Sequence, residues 1–524
     1  MSTLFETSTA VAEPVESWDR FQPAAVPKPR RKHRLAIALL AAAFLLFGLL
    51  GSWAALPLAA KVGGFVASAL ILIAPVAIAV VLKGLARAWA KWRVLRKELH
   101  WWHWLWFALL ASGFVFRVRD ANSAKESPVD GAAIYRLGLV AATASLLLLR
   151  QLRKQTVWFG PLFQGLIGAM TVFSLVSATS ALWSVNGPWT LYKSGEYLVD
   201  MMLLAAILVT IHSVKDYETL FNWNWTLTGL LILSAWVGAV IWPKEALDAG
   251  FSGGMLGYRL SGVYPGQGSN RLGDLGAILG VICVARILPL GKRKYDRLWY
   301  VLLLGLGVLT IVVSQTRSAM IGLAAGSLIV LAYTGRLKRG ALIALGFVGL
   351  IVVSGLGSLI MEFLQRGQSR EEMVSLSDRL NWWSVGWQLL SEHPWTGLGA
   401  FAAGPFGVFE KLGLNNVGPL HSDYIETMVG TSFWGLIPLL IALFGCWWVL
   451  LRWMADREVP PGDRQLAMEA MAVLTVITLR SVFMTFIVMH PPLNFTVILC
   501  YAESVRRRRK ALRTATAVPD AVAA

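Results

Sequence analysis

Runs of about 20 apolar residues recur along this chain, and they constrain its fold more than any other feature. A bilayer core is about 30 Å thick, and a helix rising about 1.5 Å per residue needs roughly 20 residues to cross it. In lipid every backbone amide and carbonyl must be paired within the protein, which leaves helices or closed barrels. The runs are continuous and do not alternate, so the reading is helical. About fourteen segments emerge, near 35–56, 62–82, 100–116, 132–149, 161–183, 197–212, 225–243, 272–290, 298–315, 318–334, 341–361, 432–451, 467–489 and 492–505. The expected fold class is all-α, a polytopic integral membrane protein of about 12–14 transmembrane helices. A chain of 524 residues with 56% apolar and only 15% charged residues suits lipid as its solvent.

The net charge of +18 could suggest nucleic acid as a partner. Its distribution argues otherwise, because the basic residues sit in short clusters between apolar runs. Arg30, Arg31, Lys32 and Arg34 precede the first run, and Arg506 to Lys510 follow the last. Between them lie Lys83 to Lys97, Arg150 to Lys154, Lys292 to Arg297, Arg336 to Arg339, and Arg452 to Arg464. With alternating segments every cluster falls on one side, which the positive-inside rule makes the cytoplasm. Both termini are then cytoplasmic, and a bacterial inner membrane is the expected location. Arg117, Arg119 and Lys125 are the exceptions, on the outer side of the loop after the short segment at 100–116. That segment, with His103 among tryptophans, fits an interfacial placement as well as a crossing.

The expected organisation is a disordered cytoplasmic tail over 1–34, an additional N-terminal transmembrane region over 35–130, and a transmembrane core over 131–361. A large periplasmic loop over 362–431, C-terminal transmembrane helices over 432–505 and a basic cytoplasmic tail over 506–524 complete it. Cys283, Cys446 and Cys500 all lie in apolar runs and match no disulfide framework or metal spacing. In the large loop Leu376, Leu380, Trp383, Trp387 and Leu390 recur at helical spacing, predicting an amphipathic helix on the outer leaflet. Ser375 and Asp378 suit its start, and His393-Pro394 its stop.

On this topology four polar residues collect near the outer face: Arg259, Arg317, Arg379 and His421. Three guanidinium groups at one interface suit an anion with several oxygens, such as the diphosphate of a lipid carrier. Histidine, with an ordinary pKa of about 6.5, suits proton transfer near neutrality. The blander alternatives are interfacial anchors for Arg259 and Arg317, and a polar cap for Arg379. Ser314, Ser318, Gly322 and Gly326 recur every fourth residue, as a close helix-packing face does. Arg480 lies mid-way along an apolar run, where a charge costs about 2.5–3.5 kcal/mol and faces a cavity or a partner. A structural pair with Asp274 is favoured over a role at the diphosphate.

Several stretches resemble the O-antigen ligase and polymerase superfamily of bacterial membrane glycosyltransferases. They are Arg259 through Asn270, Ser314-Gln315-Thr316-Arg317-Ser318, Ser377-Asp378-Arg379-Leu380-Asn381-Trp382, His393-Pro394-Trp395-Thr396-Gly397-Leu398-Gly399 and His421-Ser422-Asp423-Tyr424. The resemblance covers roughly residues 135 to 500. It implies transfer of a glycan from an undecaprenyl-diphosphate carrier to an acceptor hydroxyl on the periplasmic face, the acceptor being lipid A core or a growing glycan. No metal and no cofactor are implied. Arg259 and Arg317 would hold the diphosphate, Arg379 would assist, and His421 would activate the acceptor. Asp423 and Glu426 are candidates to orient the histidine, and with Arg480 complete the expected substrate-binding set. The chain departs from the family at Gly266-Gln267-Gly268 before Asn270, and at Ser422 after the histidine. A transporter or flippase of lipid-linked oligosaccharide is the alternative reading. A shape- or division-type glycosyltransferase lacks its motifs here.

Overall fold

The computed structural model describes residues 99–112, 131–248 except 212, 257–342 except 292–294, 379–401, 420–488 except 457, and 493–517, with a few isolated positions. The expected tail over 1–34, the apolar runs near 35–56 and 62–82, most of 341–361, and Ser375, Leu376 and Asp378 lie outside the described residues.

The described chain is helical apart from one two-residue hairpin pairing. In order come α1 (Trp101–Ser112), α2 (Gly131–Leu152), α3 (Gly165–Thr179), α4 (Gly187–Thr210) and α5 (Val214–Ile241). Strands β1 (Leu247–Asp248) and β2 (Arg259–Leu260) pair antiparallel, with Asp248 opposite Arg259. Then follow α6 (Ser269–Ile287), α7 (Arg297–Val313), α8 (Arg317–Tyr333), α9 (Arg379–Glu392), α10 (Asp423–Ala455), α11 (Pro461–Phe483) and α12 (Leu493–Ala517). Among the described residues four helical stretches are long and apolar enough to cross a membrane: Gly165–Leu182, Val214–Ile241, Asp423–Ala455 and Pro461–Phe483. Arg297–Val313 and Arg317–Tyr333 are shorter apolar helices. The protein is an all-α polytopic membrane protein.

Local chemistry sets the starts. The Asn186 side chain accepts from the Trp189 amide at 3.1 Å and Pro188 follows it, which opens α4. Ser213 accepts from the Asp216 amide at 3.2 Å and Asp296 from the Trp299 amide at 3.3 Å, opening α5 and α7.

Two ends of the bundle differ in character. At one end Arg508 pairs with Asp463 at 2.6 Å, Glu503 accepts from the Leu166 amide at 3.0 Å, and Arg286 pairs with Glu469 at 2.9 Å. Arg150 covers the Trp101 ring at 4.0 Å at this same end. The basic clusters on either side of these helices therefore gather together, as alternating segments require. The opposite end carries the starts of α4, α6, α8 and α10 and the end of α11. There the packing face predicted on α8 meets α11: a Cβ on Gly322 would lie 3.3 Å from Val476, and one on Gly326 2.8 Å from the Ala472 carbonyl.

Three boundaries differ from expectation. α4 starts ten residues before the apolar run at 197, since Lys193 and Glu196 pair with each other at 2.8 Å and are buried despite their charge. α10 begins at Asp423, inside the stretch assigned to the large loop. α12 runs to Ala517, into the stretch assigned to the basic tail.

Candidate active site

Arg317 opens α8 directly after a turn whose Gln315 has φ +53. That turn docks on its neighbours through side chains. Gln315 Nε2 donates to the Tyr258 carbonyl at 2.8 Å, and Thr316 Oγ1 donates to the Ser269 carbonyl at 3.3 Å. A Cβ on Gly273 would lie 2.4 Å from Thr316 Cβ, so α6 and the turn approach as closely as the backbone allows. The block around Arg259 and the block around Arg317, far apart in sequence, are thereby brought side by side.

Arg379 opens α9, which packs on α10 through a small apolar cluster of Leu389, Leu420 and Val429, with Trp383, Val385 and Ile425 against it. The expected stripe on α9 is split. Leu390 is buried, but Leu380 is 45% and Trp387 51% exposed, and the buried face runs through Gly386, Leu389 and Leu390. Gly386 decides this, because a Cβ there would lie 3.2 Å from Val429. The helix turns toward the position that allows close approach.

His421 sits just before α10 with φ +49, a left-handed conformation that costs a non-glycine residue about 1–3 kcal/mol. Its two neighbours are anchored. The Trp383 indole donates to the Leu420 carbonyl at 2.7 Å, and Ser422 Oγ donates to the Ser481 carbonyl at 3.3 Å. The imidazole faces Trp382 at 5.7 Å between ring centroids. Burial, then the positive charges of Arg379 and Arg480, push its pKa down to about 4. It is therefore a neutral imidazole at neutral pH, and a proton acceptor. Arg379 is lowered to about 10, by burial first and then by Arg480 and Arg317. It stays charged, and the charged groups acting on it among the described residues are other arginines.

Arg480, fully buried on α11, pairs with Asp274 on α6 and also donates to Ser318 Oγ. Its Nη2 contacts Met484 Sδ at 3.2 Å. The partner anticipated for it is thus present, and the pair also holds it within reach of His421 and Arg379. Arg259 stands to one side: burial lowers its pKa, and the charge it faces is Asp248 across the hairpin. The arginines beside the histidine are therefore Arg379 and Arg480, with Arg317 next to Arg379. The sequence placed Arg480 mid-way along its apolar run, but it lies in the last turn of α11, and it meets Arg379 because α9 starts at the level where α11 ends.

Asp423 and Glu426 do not reach the imidazole. Asp423 Oδ2 accepts from the amides of Phe486 at 3.0 Å and Ile487 at 2.8 Å, and Oδ1 from Ile487 at 2.9 Å and Val488 at 2.9 Å. It caps the backbone that leaves α11, a segment also held by the Tyr197 hydroxyl donating to the Ile487 carbonyl. Glu426, equally buried, lies beside Asp423 and the Leu420 amide.

A second feature had only a stop signal in the sequence. α10 is broken at Ser432, where φ is +55. The carbonyls freed there are taken by the 393–401 segment: Leu398 N donates to the Val429 carbonyl at 2.9 Å and Gly399 N to the Gly430 carbonyl at 2.8 Å. Gly397 and Gly399 have φ +63 and +98. A Cβ on Gly397 would lie 2.6 Å from the Gly430 carbonyl carbon, and one on Gly399 2.4 Å from Ser184. Trp183, Ser180, Thr190 and Trp189 bond the same segment from its other side. The Thr396-Gly397-Leu398-Gly399 block is thus a backbone latch that fixes the break one helical stretch beyond His421.

The O-antigen ligase (Wzy_C) family model matches residues 300–441. That interval begins in α7 and takes in Arg317, Arg379, the latch and His421. Over that interval the chain is similar to the O-antigen ligase family. No curated protein matches the chain. The matched interval holds His421, Arg317 and Arg379, whereas Arg480 and its partner Asp274 come from outside it.

Proposed function

We propose that the protein is a membrane glycosyltransferase of the O-antigen ligase or polysaccharide polymerase type, moving a glycan from undecaprenyl diphosphate to an acceptor hydroxyl on the periplasmic face of the bacterial inner membrane. The acceptor is lipid A core or a growing glycan. The observation that carries this reading is one neutral, half-buried imidazole beside arginines from separate elements, Arg379 and Arg480, with Arg317 next to Arg379. In the reaction His421 takes the proton of the acceptor hydroxyl while that oxygen attacks the anomeric carbon. The bond from that carbon to the diphosphate oxygen breaks, its electron pair leaving with the diphosphate. Arg317 and Arg379 stabilise the growing negative charge, and Arg480, fixed by Asp274 and Ser318, supports them from below. Arg259, tied through the Tyr258 carbonyl to the turn bearing Arg317, lies at the edge of the site. Attack opposite the leaving group inverts the anomeric centre. Electrostatic stabilisation by fixed guanidiniums needs no metal.

A transporter would line a cavity with its broken helix. Here the break at Ser432 is filled by the backbone of Leu398 and Gly399, which favours the transferase.

The test is purified protein with a carrier-linked glycan, offered either lipid A core or a second carrier-linked unit. His421→Ala and Arg379→Ala should each lower turnover at least 100-fold with the protein still folded in the membrane. Transfer at the wild-type rate by His421→Ala would overturn the mechanism.

A further inference from the structure

The polar interior continues beyond Asp274. Arg271, on the first turn of α6, carried no signal in the sequence. It lies within electrostatic reach of Arg136 on α2, Lys193 and Tyr197 on α4, and Asp274. Each of these is already engaged. Asp274 pairs with Arg480. Arg136 Nε meets Glu196 Oε1 at 2.7 Å and Lys193 Nζ meets Glu196 Oε2 at 2.8 Å, while the Tyr197 hydroxyl donates to Ile487. The Arg271 side chain makes no hydrogen bond or ion pair among the described residues.

Its side chain is exposed, although Asp274 and Tyr197 beside it are buried to within 1%. Its accessible side chain thus stands at the start of α6, directly against that buried polar interior. The surrounding carboxylates are engaged elsewhere: Glu196 takes Arg136 and Lys193, Asp274 takes Arg480, Asp200 faces Arg136 and Glu196, and Asp423, on the other side of Tyr197, accepts from the amides of Phe486, Ile487 and Val488. Among the described residues Arg271 has no carboxylate in hydrogen-bond or ion-pair contact. An ionised group within a membrane bundle that lacks a protein partner is costly to keep and marks a ligand path.

We propose that Arg271 is a further anion-binding residue of this site, its guanidinium taking a phosphate oxygen of a ligand that reaches past Asp274. The inference rests on the reading of the neighbouring arginines as a lipid-diphosphate site. The phosphate belongs either to the donor's diphosphate or to an acidic group on the acceptor, and both offer the same oxygens to a guanidinium fork.

The experiment uses the full chain in lipid nanodiscs, with thermal unfolding followed as inorganic diphosphate is added to wild type, Arg271→Gln, Arg271→Lys and His421→Ala. Diphosphate should stabilise wild type and His421→Ala alike. Arg271→Gln should bind it about tenfold or more weakly, with Arg271→Lys between. Without ligand Arg271→Gln should melt no lower than wild type, because it removes a charge and no bond. Steady-state kinetics then assign the source: a raised donor KM places the phosphate on the donor, and a raised acceptor KM alone places it on the acceptor. Arg271→Gln that binds diphosphate like wild type with both KM values unchanged would overturn the proposal, as would a variant that unfolds several degrees early without ligand. Wild type that diphosphate fails to stabilise would refute the diphosphate reading of the whole site, and this inference with it.

Discussion

Replacing Asp423 by asparagine keeps the shape of the side chain and removes its charge. The carboxylate makes four contacts of 2.8–3.0 Å with the amides of Phe486, Ile487 and Val488. An asparagine can present only one oxygen. If its oxygen takes the Oδ1 position, the bonds from Ile487 and Val488 persist as neutral ones, and the amide nitrogen points its hydrogens at the Phe486 N–H. One charge-assisted bond, about 1.5–3 kcal/mol, is lost, and the two that remain weaken by about half. Removing a buried charge returns part of this. The net loss should be about 2 kcal/mol. Tyr197→Phe acts on the same segment through the Ile487 carbonyl, so the two changes should be non-additive. A double-mutant cycle on unfolding in detergent, with turnover measured on the same samples, reads both quantities. A coupling near zero, or an Asp423→Asn protein as stable and active as wild type, would refute the view that this carboxylate holds the exit of α11 against the histidine.

Two further predictions follow from the same geometry. The free enzyme needs a neutral His421, whose pKa is depressed to about 4, so kcat/KM should fall only as pH drops through about 4. A bound diphosphate cancels the charges of Arg379 and Arg480 that help depress it, so the acid limb of kcat should lie higher; identical limbs in both profiles would contradict the arrangement. Gly397→Ala sets a Cβ 2.6 Å from the Gly430 carbonyl at φ +63, which should destabilise by about 2–4 kcal/mol and cut turnover in parallel, read by unfolding and transfer assays.

The apolar runs that the structure describes became helices close to the expected places, because about 20 residues without a charge have one stable conformation in lipid. Where sequence and structure part, charge is the cause. Lys193 and Glu196 made the start of α4 look like a loop, since hydropathy counts each charge as a cost and cannot know that it is paired. The stripe on α9 looked continuous because periodicity measures angle around a helix. Which part of an apolar surface is buried depends on where Gly386 lets another helix come close.

Residue types and the end of the bundle they occupy were legible in the sequence: a histidine and arginines at the helix ends opposite the ion pairs of Asp463, Glu469 and Glu503, and Asp274 as a partner for Arg480. These follow from where a charge can sit relative to lipid. Their grouping was not legible, because contact between α6, α8, α9 and α11 depends on how four helices lean together. That packing placed Arg480 with His421, left Arg259 facing Asp248, turned Asp423 toward the backbone and set Arg271 beside Asp274. The single physical requirement beneath this is that imidazole and guanidiniums share one low-dielectric space, and only tertiary packing can create such a space.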